Sequence, residues 1–346
     1  MIDVGVIGFG LAGRAFHAQV IRATPGLRLA AILQRNGNEA TEKYPDVRVV
    51  RSVEGLLDIR DIRLVVIATP NDTHASITRQ CLEAGRDVVV DKPFATTLKE
   101  AAELVELARK CGRLITVYQN RRYDGDFQTI RRIVADGTLG RIVRFETNYD
   151  RFRPDLKPGA WRERVGSGSG ILFDLAPHLI DHALVLFGLP EAVTADVRVE
   201  RTVAVVDDAF DVMLHYPTGV RAVLRSTMLA AAPRPRFVLH GTSGSFFKRT
   251  FDPQEINLRR GYIPESGPWG AEPQEDWGVL TTMENDVVTK RSVPSSTCDY
   301  RDYYANLRDA ILGRAAPTVT PEYALDVMRV LEMAQESSRK RCTIAW

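Results

Sequence analysis

Over the first 120 positions, short apolar runs alternate with stretches whose apolar residues recur at helical spacing. The runs at 3–10 (DVGVIGFG), 27–33, 47–50, 64–70, 86–93 and 113–119 read as strands. The stretches 14–23, 74–84 and 98–111 between them read as helices. Apolar strands separated by helices predict a parallel sheet covered on both faces, because each βαβ crossover lays a helix on the sheet. A doubly wound α/β domain is therefore expected over residues 1–120.

Beyond 120 the period changes. A helix is expected at 127–135, a strand at 140–152 and a helix from about Leu175 to Gly188. Alternating runs follow at 193–206, 209–217, 220–229 and 236–249, with Pro217-Thr218-Gly219 as a hairpin turn. Consecutive alternating strands predict a mostly antiparallel sheet with one face on a core. Helices at 300–312 and 321–335 close the chain, and 261–296, with Pro264, Gly267, Pro268, Gly270 and Pro273, reads as a long loop. The second domain is thus placed at 121–346.

A length of 346 residues agrees with two domains, and 45% hydrophobic with 26% charged residues is ordinary for a soluble protein. A net charge of +2 from 46 basic and 44 acidic residues gives no reason to expect nucleic acid or a membrane as partner. Cys81, Cys111, Cys298 and Cys342 lack metal-ligand spacing and read as reduced thiols of a cytoplasmic protein. The N-terminus carries Asp3 and glycines instead of a basic region, so no signal peptide is read there. No apolar run of membrane-spanning length is expected.

Three stretches carry candidate chemistry. GFGLAG (8–13) places Gly8, Gly10 and Gly13, with Leu11 and Ala12 between the last two, after the first strand and at the head of the first helix. That is the context of a dinucleotide loop: a tight turn, close backbone approach to a pyrophosphate, and close helix packing. A glycine-rich turn that only links strand to helix is the alternative. At the end of the second strand, where an acid would bind the ribose 2′-hydroxyl of NAD, stand Gln34, Arg35 and Asn36. A guanidinium suits a 2′-phosphate, which favours NADP with NAD still open, unless Arg35 simply points to solvent. VVVDKP (88–93) ends a buried strand on Asp91, Lys92 and Pro93, at the carboxyl edge where parallel sheets bind ligands.

In the second domain, Asp174, His178 and His182 recur every fourth residue. Three readings stand open: Asp174 as a helix N-cap with Pro177 in the first turn, a metal site lacking a further ligand cluster, or an Asp-supported histidine for acid–base chemistry.

Taken together, GFGLAG, ATPNDTHA (68–75), DKP (91–93), QNRRYD (119–124) and GSG-x-x-x-D-x-x-x-H (168–178) resemble the glucose–fructose oxidoreductase/inositol dehydrogenase/MocA family of NAD(P)-dependent oxidoreductases over essentially the whole chain. FHA (16–18), RFRP (151–154), LAPHLIDHA and HGTSGSF (240–246) look most like its NADP-dependent scyllo-inositol 2-dehydrogenase branch. The resemblance implies a Rossmann domain plus an α/β domain with an open, mostly antiparallel sheet, through which a homodimer or homotetramer forms. It implies Lys92, Asp174 and His178 as the reacting groups on a polyol or sugar. Thr69, Pro70, Asn71, His74, Asp91 and Asn120 would line the cofactor groove, with Arg122 near the domain junction and Trp161 and Arg162 added from the second domain. It implies no metal. Asp91 stands where the family usually has Glu, and Ser169 interrupts its usual glycine triplet. An aldose dehydrogenase or keto-sugar reductase of the same family is the alternative activity, and a non-catalytic cofactor-binding regulator a more distant one.

Overall fold

The computed structural model describes residues 1–262, 270–284 and 287–346, and the chain divides into two compact units. The first comprises Met1–Asn120 with Gln254–Trp269 and Asp299–Leu325. The second comprises Arg121–Pro253, Gly270–Cys298 and Asp326–Trp346. Two segments beyond residue 120 therefore belong to the first unit, a return that no change of composition marks.

In the first unit β1 (Ile2–Ile7), β2 (Leu27–Leu33), β3 (Arg48–Val50), β4 (Ile62–Ile67), β5 (Asp87–Val90) and β6 (Ile115–Val117) form one sheet in the order β3-β2-β1-β4-β5-β6. Every pairing is parallel. This is the Rossmann order, whose direction reverses between β1 and β4. All of β1 and β5 is buried, which is why these strands read as continuous apolar runs. The helix Leu98–Cys111 starts where the Thr97 hydroxyl accepts the Glu100 amide and ends at Gly112, whose φ is +60°. After the glycine loop the chain winds as a π-helix over Ala12–Ala18 before continuing as Gln19–Arg22. Helices Glu39–Lys43 and Val53–Leu57 were not expected; five residues are too few to display a period.

In the second unit β7 (Ile142–Asn148), β8 (Ala192–Arg198), β9 (Ala209–His215), β10 (Arg221–Thr227), β11 (Phe237–Gly241), β12 (Gly244–Lys248), β13 (Gly278–Glu284), β14 (Val287–Val293) and β15 (Ile344–Ala345) form a second sheet. Its order is β14-β13-β12-β11-β7-β10-β9-β8-β15, antiparallel except where β7 pairs with β10. One face, with Phe145, Val212, Leu224, Leu239, Phe246 and Leu280, is buried, and the helix Gly170–Phe187 packs on β7, β9 and β10.

Several expectations are corrected here. The helix begins at Gly170, not near Leu175, so Asp174 lies inside it and Pro177 lies beyond its first turn; Ser169 holds the N-cap position. Asp207 instead serves the helix start, its carbonyl and carboxylate accepting the Ile171 and Leu172 amides at 2.9 and 2.7 Å. The run 236–249 forms two strands, β11 and β12, because the chain reverses at Thr242-Ser243. Residues 278–284 and 287–293, expected within a loop, form β13 and β14. β14 is exposed at nearly every position, so no alternation betrays it. Pro264, Gly267 and Pro268 of that expected loop lie outside the described residues. Finally, Gly170–Phe187 is long and apolar enough to cross a membrane by length and composition, contrary to expectation. It is 78% buried in the fold, as a core helix is.

Candidate active site

The glycine loop leaves β1 at Gly8, where φ is +98° and a Cβ would press against the Ala68 carbonyl. At Gly13 a Cβ would collide with the Gly8 carbonyl oxygen. Packing alone therefore demands both glycines. Gly10 differs: a Cβ there would meet no protein atom within 4 Å. The loop backbone is bare there, which leaves room for close approach of a pyrophosphate. Leu11 is exposed and Ala12 begins the helix.

The loop after β2 is tied from below. Gln34 is buried; its carboxamide oxygen accepts the Ala40 amide at 2.9 Å and its nitrogen bonds Glu39. Arg51 donates to the carbonyls of Gln34 and Gly37 at 2.8 and 2.7 Å. Gln34 is thus a brace of the loop, while Arg35 beside it is exposed. Two further cations stand nearby. Burial and the charge of Arg14 push the Lys43 ammonium below its usual range, so Arg14 and Lys43 face each other as like charges.

At the end of β4, Thr69 and Pro70 lead into a 3₁₀ turn at Asn71–Thr73, where the Thr73 hydroxyl bonds both Thr69 and Pro70 at 2.7 Å. His74 is buried between the Pro93 carbonyl at 2.8 Å and the Thr69 carbonyl at 3.0 Å. Burial, opposed by the two carbonyls and by Asp91, pushes it below the usual histidine range, and its ring joins this turn to the end of β5. There the Lys92–Pro93 peptide is cis. The Asp91 carboxylate accepts the Lys92 amide at 2.8 Å, and His17 Nε2 lies 3.7 Å from its other oxygen. Burial alone would raise the Asp91 carboxyl; His17, Lys92 and His74 outweigh it and hold it below the usual carboxylate range. Asn120 ends this unit, buried.

In the second unit Asp174, half-buried on the long helix, receives Arg162 Nε at 3.1 Å and Arg151 Nη1 at 3.4 Å. Arg162 also stacks over the Trp161 ring, its guanidinium carbon 4.4 Å from the centroid. Asp174, Trp161 and Arg162 are thus brought together. His178, one turn along from Asp174, is buried. Asp181 on the same helix accepts Arg122 Nε on both carboxylate oxygens at 2.9 Å, with Nη2 at 2.8 Å completing a buried ion pair. His182 is fully buried, stacked on Phe127 at 4.2 Å. Burial first, then Arg236, Arg121 and Arg122, push it well below the usual histidine range. It is a neutral core residue. Among the described residues no group of three or more His, Cys, Asp or Glu could hold a metal ion.

Sequence reasoning overlooked His17, Arg14, Lys43, Arg151 and Asp207 as contributors. Only His17 and Arg151 carried a signal, since both lie in short motifs quoted for the resemblance.

Known proteins bear on this arrangement. The family described as "Oxidoreductase family, NAD-binding Rossmann fold" matches residues 2–119, and the GFO/IDH/MocA C-terminal domain matches residues 127–247. The uncharacterized oxidoreductase YdgJ of Escherichia coli is 42% identical over 99% of this chain and 98% of its own length. The scyllo-inositol 2-dehydrogenase (NADP(+)) IolW of Bacillus subtilis is 37% identical over 99% and 95%. Among solved structures, the oxidoreductase yvaA of Bacillus subtilis superimposes with a TM-score of 0.96 at 36% identity, covering 100% of this chain and 98% of that one. A Rossmann sheet with an open glycine cradle and full-length likeness to these enzymes converge: this chain is an NAD(P)-binding oxidoreductase of the GFO/IDH/MocA family.

Proposed function

We propose that the protein interconverts a secondary alcohol and a ketone on a cyclitol or sugar ring with NADP(H), in the manner of a scyllo-inositol 2-dehydrogenase. The single observation that carries this reading is the full-length likeness to IolW, and Lys92, Asp174 and His178 stand in the motifs by which the sequence resembles the family. The nicotinamide cofactor, when bound, supplies or accepts the hydride. The protein's own part is to bind, orient and move a proton. Gly8–Gly13 offers backbone amides and a helix start to the pyrophosphate. Arg35, with Arg14 and Lys43, supplies positive charge after β2 for a 2′-phosphate, and no acid stands at that strand end to favour a free 2′-hydroxyl. Lys92 hydrogen-bonds the reacting hydroxyl oxygen and stabilises negative charge developing on it. His178 takes or returns the hydroxyl proton, and Asp174, held by Arg151 and Arg162, sets the field one turn away from it. The chain self-associates through the open face of its second sheet.

The test is to follow NADPH and NADH absorbance against a panel of inososes, inositols and aldoses. The expected outcome is turnover of an inosose with strong preference for NADPH. Equal use of NADH would overturn the 2′-phosphate argument, and turnover confined to aldoses would overturn the cyclitol assignment.

A further inference from the structure

His17 is fully buried, and neither the glycine loop nor the hydride chemistry calls for an imidazole there. It stands on the π-helical segment Ala12–Ala18 of the first unit. Its Nδ1 lies 2.7 Å from the hydroxyl of Tyr304, itself fully buried on the helix Arg301–Ile311. Its Nε2 lies 3.7 Å from Asp91 Oδ2 and has no hydrogen-bond partner among the described residues. The ring is held in place by Tyr118, at 4.4 Å between centroids, and Tyr118 in turn by Tyr303 at 4.8 Å.

The proton positions follow from counting donors. A phenol has one proton and a neutral imidazole has one N–H. Were Nδ1 the protonated nitrogen, Nε2 would turn a lone pair toward a carboxylate, and the Tyr304 proton would lack its acceptor in a dry site. Both cost free energy. Burial pushes the Tyr304 hydroxyl well above its usual range, so it keeps its proton. With a single ring proton, the Tyr304 hydroxyl therefore donates to Nδ1, and Nε2–H faces Asp91 across 3.7 Å, beyond hydrogen-bond length. On the far side of Asp91, the other carboxylate oxygen accepts the Lys92 amide.

We propose that Tyr304 and His17 are positioning residues that hold the Asp91 carboxylate in place, anionic, behind Lys92, and so set the charge state in which Lys92 works. This rests on the reading that Lys92 acts in the reaction. The charged and titratable groups around Asp91 are His17 on the helix after the glycine loop, His74 on the helix after β4, and Lys92 beside it. Tyr304 lies beyond His17, with Tyr118 and Tyr303 packed against it. Without the His17 contact, the burial of Asp91 is opposed by the Lys92 amide and by Lys92 and His74 alone among its charged neighbours, so the carboxylate protonates at higher pH and Lys92 loses its neighbour's charge.

The experiment has two arms. In the first, ¹⁵N-histidine spectra of the NADP-saturated protein are recorded from pH 6 to 9, with His17 assigned by its disappearance in His17→Gln. Protonated Nε2 and bare Nδ1 in the wild type, becoming a tautomer mixture in Tyr304→Phe, are expected. A protonated Nδ1 in the wild type overturns the proposal. In the second, pH profiles with NADPH and whichever panel compound turns over compare His17→Phe, His17→Gln and Lys92→Ala, each checked for folding by its thermal midpoint. His17→Phe is expected to lower kcat about tenfold with little change in KM. It should also raise the acid limb of the profile by roughly one pH unit. His17→Gln, which keeps a donor, should recover most of the loss. A wild-type acid limb in folded His17→Phe overturns the proposal. Turnover surviving in Lys92→Ala sinks the reading of Lys92 instead, and the tautomer result is decided apart from it.

Discussion

His178 and His182 stand one turn apart on a single helix, both buried, and only His178 belongs to the proposed site. His182 is wrapped by Phe127 and Phe237 and surrounded by Arg236, Arg121 and Arg122, so protonating it is unfavourable on two counts. The sign of the resulting pH dependence is definite. An unfolded histidine binds a proton below about pH 6.5, and the folded His182 does not, so the unfolded state binds more protons as pH falls. The stability fully present above that pH is lost progressively below it. His182→Phe should flatten the fall of the thermal midpoint between pH 7 and 5. The flattening is partial, because His74 and His215 are pushed down in the same direction. Identical slopes in the two proteins would refute the assignment. Periodicity could not separate these two histidines, since both fall on one stripe; burial and the arginines packed around His182 are what push it down.

The elements that carry the candidate site were legible to different degrees. β1, β4 and β5 read as apolar runs because both faces of a parallel sheet are buried, and Leu98–Cys111 read to the residue because Thr97 and Gly112 punctuate it. The long helix was misplaced at its start. Its opening residues, Gly170 to Phe173, are continuously buried and show no stripe, and its cap comes from Asp207, distant in sequence. That cap makes a prediction. Gly170 has φ of +85° and any Cβ there would overlap the Asp207 carboxylate. Gly170→Ala should cost about 1–3 kcal/mol, lower the thermal midpoint, and reduce turnover by disturbing the helix that bears His178. An unchanged midpoint would show that the helix start yields freely.

At the scale of the molecule, the second sheet has a face that its core does not use. Phe247 pairs with Val279 across β12 and β13, and Met283 pairs with Val288 across β13 and β14; all four side chains are exposed. Farther along the same sheet, Arg225 bridges Glu146 and Asp211, and Arg198 also pairs with Asp211. A partly apolar, partly ion-paired sheet face is consistent with the self-association proposed above. Phe247→Lys combined with Val279→Lys should convert the protein from an oligomer to a monomer in sedimentation velocity. A wild-type protein that sediments as a monomer would remove the basis for self-association.

Local pattern by itself determined the parallel sheet, the glycine loop, the strand that delivers Lys92 to its carboxyl edge, and the helix with His178, though not its start. Each is written in residues close together in the chain, where period and turn chemistry act. Tertiary structure alone decided the partners. It chose which histidine is core, that Arg151 and Arg162 hold Asp174, that Asp207 caps a helix far from it in sequence, and that residues after 253 return to complete the first unit. It also joined Tyr304 to His17 and His17 to Asp91 across nearly the whole length of the chain. Such pairings are set by packing and desolvation between distant segments, and these leave no period in the sequence to read.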